Sequence, residues 1–89
     1  MKLYIIRIHG RVHGVGYRIS ACEKARELHL TGFVRNQPDG SVYIEAEGEL
    51  ENLHNFFDWC SQGPRHSLVQ KAEFEVSDDL RHFKNFAAL

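Results

Sequence analysis

The chain has 89 residues, 43% of them hydrophobic and 26% charged, which leaves room for one core and excludes a disordered tail or a two-domain enzyme. Its 11 basic and 12 acidic residues give a formal charge of -1, without the strong positive field of a general nucleic-acid binder. No apolar run approaches the roughly 20 residues that cross a bilayer, and the expectation is a single cytoplasmic domain over residues 1–89.

From Lys2 to Val12, Tyr4, Ile6, Ile8 and Val12 recur at period two with Arg7, His9 and Arg11 between them, the pattern of a strand with one buried face. Glycines at 10, 14 and 16 close it. The period then lengthens from Tyr17 to about Leu30, where Ala21, Ala25 and Leu28 stand at helical offsets. A second strand follows from Thr31 to about Gln37. Pro38-Asp39-Gly40 signals a turn, and Val42, Ile44 and Ala46 alternate with Tyr43, Glu45 and Glu47 in a third strand, making a hairpin.

Leu50, Leu53, Phe57 and Cys60 form one stripe of a second helix from Glu49 to Gln62, which Gly63-Pro64 ends. Ala72, Phe74 and Val76 mark a fourth strand, and Phe83 to Phe86 a short fifth. The order βαββαβ, with right-handed crossovers, predicts an α+β ferredoxin-like sandwich: an antiparallel sheet in order 4-1-3-2, two helices on one face and a short C-terminal strand. Arg7, His9, Glu45 and Glu47 are expected on the other, solvated face. Phe33, Tyr43, Phe56 and Trp59 read as flank packing.

In this topology strands one and two are parallel with strand three between them, so their C-terminal ends share one sheet edge about 10 Å apart. At the first end stands Gly14-Val15-Gly16-Tyr17-Arg18, a link whose successive N–H groups can curl into an anion-binding nest at a helix N-terminus. Arg18 in the first helical turn opposes the macrodipole, and a bound anion reverses that sign, since a guanidinium can donate two parallel bonds to a phosphate. At the second end Asn36 offers an acceptor and two donors without a charge, suited to holding a water. From spacing alone, a plain glycine turn with Arg18 in solvent stays open, as does a turn-flanking role for Asn36.

No Gly-Lys-Ser/Thr follows the glycines, so the link is not a Walker loop, nor is it a dinucleotide fingerprint. Cys22 and Cys60 make no disulfide framework and read as two free thiols in a reducing compartment. No Cys/His spacing suggests zinc, and the nearest histidines, His9 and His13, are about 13 Å apart along a strand. No metal or other cofactor is expected.

The stretch HGRVHGVGYR over residues 9–18, LTGFVRNQPDGSV over 30–42 and then Gly63-Pro64 together resemble the acylphosphatase family, across almost the whole chain. The resemblance implies hydrolysis of acyl phosphates, with Arg18 matching the family's phosphate-binding arginine, the backbone of His13, Gly14, Val15, Gly16 and Tyr17 its phosphate cradle, and Asn36 the asparagine that orients the attacking water. It implies neither a metal nor a covalent phosphoenzyme. Two positions depart from the pattern: His13 stands where glutamine is usual, and Asn85 where the C-terminal strand usually has an apolar residue.

The expected partners are a small acyl phosphate and inorganic phosphate as product and inhibitor, with no nucleic acid, no membrane and a monomeric state. One rival is a noncatalytic ferredoxin-like module binding single-stranded RNA on the open sheet face, which the acidic third strand disfavours. Another is a carbamoyl-phosphate-handling domain, by resemblance to the N-terminal domain of hydrogenase-maturation carbamoyltransferases, which are far longer chains.

Overall fold

The computed structural model describes residues 1–89. Its elements are β1 (Lys2–Arg11), α1 (Tyr17–Glu27), β2 (Thr31–Asn36), β3 (Val42–Gly48), α2 (Leu50–Gln62), β4 (Leu68–Ser77) and β5 (Phe86–Ala88). The strands form one sheet in the order β4-β1-β3-β2-β5, so the expected 4-1-3-2 arrangement is present, with β5 added beyond β2. β5 runs parallel to β2, unlike the other pairings, which are antiparallel.

Tyr4, Ile6 and Ile8 of β1, Val34 of β2 and Val42, Ile44 and Ala46 of β3 supply the core from the sheet. The period-two alternation puts them on one face, where α1 covers β2 and β5 and α2 covers β1, β3 and β4. From α1 come Tyr17, Ala21, Cys22 and Ala25, and from α2 Leu53, Phe56 and Cys60. The α2 stripe therefore turns slightly from the sequence expectation: Leu50 is exposed, while Phe56 is fully buried and Phe57 lies on its flank against Phe74, 4.5 Å between ring centroids.

α1 stops at Glu27 rather than Leu30 because His29 takes a left-handed conformation, φ 59°. The His29 N–H donates to the Arg26 carbonyl and the Leu30 N–H to that of Ala25, the two bonds of a Schellman C-cap with histidine where glycine is usual.

The face opposite the helices is not open along its length. Glu47 is 3% exposed and Glu45 7%, against the solvation expected of them, because residues 78–85 cross this face between β4 and β5. Glu47 accepts main-chain N–H bonds from Arg81, His82 and Phe83, while Glu45 accepts from the Tyr43 hydroxyl at 2.6 Å and faces Arg81. Phe83 packs edge-on against Phe33 on this side. The chain then rounds the β2 edge, and Phe86 enters the core on the other side against Phe56. Phe83 and Phe86 thus serve opposite faces, which is why the last strand begins at Phe86. Asn85 accepts from the Gly32 N–H through its main-chain carbonyl, so its polar side chain does not disturb the pairing.

Candidate active site

β1 continues beyond the start of β3: its last pair with that strand is Ile8 with Val42, and after a register shift between His9 and Gly10 it follows β4 as far as Arg11. Asn36, the last residue of β2, pairs with the same Val42. The loop of residues 12–16 and Asn36 therefore leave the sheet side by side, as the parallel relation of β1 and β2 requires.

In that loop Gly14 has φ 71° and Gly16 φ 78°, left-handed values that cost an L side chain roughly 1–2 kcal/mol. A Cβ at either position would meet no atom within 4 Å, so the demand for glycine comes from backbone conformation rather than from space. Gly16 is the N-cap of α1 and supplies no side-chain cap, and no acidic residue stands in the first turn. The first N–H groups of the helix are left to an external acceptor.

Tyr17 anchors the loop from beneath. Its ring is 1% exposed and packs 5.7 Å from Trp59, and its hydroxyl donates to the Cys60 carbonyl at 2.8 Å. Burial, with the nearby Cys60, pushes the phenol well above its ordinary pKa, so it stays protonated and acts as a donor. The same burial raises the Cys60 thiol. The α1 start thus lies against the α2 end, as the antiparallel helices predict, and both cysteines are buried free thiols.

Arg18 projects from the first turn of α1, partly exposed, and one of its terminal nitrogens donates to the Leu89 main-chain oxygen. Leu89 is itself held by its N–H on the Val34 carbonyl at 2.8 Å. Arg18 and Asn36 line one cavity of about 100 Å³ together with Gly14, Gly16, Tyr17, Val12 and Ile19. Arg18 is the only charged side chain in that lining. The structure therefore brings together both side chains and the glycine link singled out from the sequence. His13 and Val15 take part in the loop but do not line the cavity, and the His13 ring instead turns toward Ser41.

The acylphosphatase family model matches residues 4–88. The chain belongs to this family. It is 43% identical over 89 residues to an acylphosphatase of Methylococcus capsulatus, covering 100% of this chain and 97% of that one. The crystal structure of an acylphosphatase from Bacillus subtilis matches it with a TM-score of 0.97 at 34% identity, covering 100% of this chain and 99% of that one. A HypF chain from T. kodakarensis matches at a TM-score of 0.85 and 28% identity, but the match spans only 12% of that chain.

Three features of this acylphosphatase site were not apparent from its motifs: the Leu89 oxygen on Arg18, the Tyr17 anchor under the loop, and Ile19, which is 60% exposed at the cavity rim. An isoleucine next to the candidate Arg18 was the one available sequence signal among them. No three His, Cys, Asp or Glu side chains gather into a group able to hold a metal ion.

Proposed function

We propose that this acylphosphatase hydrolyses the mixed anhydride of a carboxylate and phosphate with Arg18 and the main-chain N–H groups of His13, Gly14, Val15, Gly16 and Tyr17 holding the phosphoryl group, and Asn36 orienting the water. The observation that carries this reading is the convergence of Arg18, Asn36 and the uncapped start of α1 on one small cavity. A phosphoryl group there meets the positive end of the macrodipole, unpaired N–H donors and a planar guanidinium.

The water oxygen attacks phosphorus in line with the anhydride oxygen. The P–O bond to the acyl group breaks, its electron pair leaves with the carboxylate, and the water's proton passes to a phosphate oxygen. Because a carboxylate has an ordinary pKa of about 4, it departs without being protonated. A lining whose only charged side chain is Arg18 fits such a leaving group, since it supplies charge neutralisation and positioning but no general acid. The alkoxide of a phosphate monoester lacks that advantage.

The same chemistry supports inorganic phosphate as product and competitive inhibitor, and activity without a metal or other cofactor. The crossing of residues 78–85 covers part of the sheet face on which single-stranded RNA would stack, which argues against an RNA partner. No helix is long and apolar enough to cross a membrane. The proposal extends to a monomeric, cytoplasmic enzyme, with buried free thiols in keeping with a reducing compartment.

The test is release of inorganic phosphate from benzoyl phosphate, with a phosphate monoester and carbamoyl phosphate assayed beside it. Rapid cleavage of benzoyl phosphate and none of the monoester is expected. Equal cleavage of the monoester, or turnover of carbamoyl phosphate alone, overturns the assignment.

A further inference from the structure

We infer that the His13 side chain is a positioning residue that clamps the phosphate cradle to the hairpin carrying Asn36. This rests on the roles proposed above for the cradle and Asn36. His13 Nε2 lies 2.8 Å from the Ser41 main-chain oxygen in a partly buried setting. A carbonyl only accepts, so Nε2 carries the proton and donates, in the neutral Nε2–H tautomer and in the imidazolium alike.

Ser41 is 5% exposed and is the hub of the β2–β3 turn. Its carbonyl also accepts the Gln37 N–H at 2.8 Å, while its own N–H and hydroxyl donate to the Asp39 carboxylate at 2.9 and 2.6 Å. These bonds hold Asp39 in its charged form, its pKa lowered chiefly by the Ser41 hydroxyl. Asn36 immediately precedes this closed turn, so fixing the Ser41 carbonyl fixes the residue that faces the cavity.

The His13–Ser41 bond is the one hydrogen bond that joins residues 12–16 to residues 36–41. Elsewhere the two halves of the site are related through shared core packing, through Leu89, which joins Arg18 to Val34, and through the sheet, whose β1–β3 ladder ends at Ile8, five residues before His13. Without the imidazole, the cradle loop and the turn that follows Asn36 lose their one direct bond and gain play relative to each other. In-line attack is sensitive to such play, since a misplacement near 1 Å can cost about 10²-fold.

The experiment is a kinetic cycle on the full chain, with inorganic phosphate inhibition as the second readout. His13→Ala is expected to lower kcat by about 10-fold or more while the phosphate inhibition constant stays within about threefold, because the cradle N–H groups and Arg18 remain. His13→Gln, whose amide can also donate, recovers most of the loss. In an Asn36→Ala background, His13→Ala costs little further, since the residue it positions is gone.

Undiminished kcat in His13→Ala overturns the inference. So does a loss that Gln fails to recover, or one that multiplies in full on Asn36→Ala. If Asn36→Ala alone keeps full kcat, the water-orienting role fails first and the clamp with it, an outcome recognised in the same cycle. Should His13→Ala not fold by circular dichroism, the comparison of His13→Gln with His13→Leu carries the same test.

Discussion

Glu47→Ala should loosen the docking of residues 78–85 on the sheet and destabilise the fold. The carboxylate is almost fully buried and accepts three main-chain N–H bonds from the crossing segment, from Arg81 and, both at 3.2 Å, from His82 and Phe83. A hydrogen bond to a charged acceptor contributes about 1.5–3 kcal/mol. A simple sum over three overshoots, because Arg81 and His82 are exposed and water takes over their N–H groups once the carboxylate is gone. Phe83 is half-buried and has less access to replacement, and its ring contact with Phe33 depends on the same docking. The expected loss is about 2–4 kcal/mol, which for a chain of this size lowers Tm by about 10–25 °C. Urea unfolding followed by circular dichroism measures it, and Glu47→Gln, which keeps one acceptor oxygen, should fall between wild type and alanine. A change below about 1 kcal/mol for Glu47→Ala would show that these bonds do not hold the crossing.

Arg18→Ala should weaken inhibition by inorganic phosphate and lower kcat/KM by about 10² to 10⁴-fold, with Arg18→Lys recovering little for want of the planar fork; retained phosphate affinity would refute the grip. Asn36→Ala should cut kcat at least about 10²-fold while the phosphate inhibition constant stays within about threefold, and equal damage to both would erase the division between grip and water. Excess chelator should leave the hydrolysis rate unchanged, and a loss restored by one divalent ion would overturn the metal-free mechanism. Cys60 should resist iodoacetamide in the native protein, because burial raises its thiol and hides it; in denaturant without reductant, mass spectrometry should find two alkyl groups, and none would reveal a disulfide.

The sequence alone determined the strand and helix order, since period two in β1 and β3 and the longer period after Tyr17 are local consequences of backbone geometry. It also determined which residues to suspect. Parallel strands on either side of β3 must end on one edge, so Arg18 and Asn36 could be placed together before any contact was known, and the glycines announced the left-handed turns seen at 14 and 16. Tertiary structure decided the rest. Glu45 and Glu47 alternate as solvated residues should, and only the chain crossing above them, 34 to 36 residues away in the case of Glu47, makes them buried acceptors. Phe83 and Phe86 look like one strand by spacing, yet the edge of β2 separates them onto opposite faces. The His13–Ser41 bond spans 28 residues and depends on how far β1 overhangs β3. Pattern reading reports which face a residue prefers; what covers that face is set by contacts between distant segments, and these exist only once the chain has closed on itself.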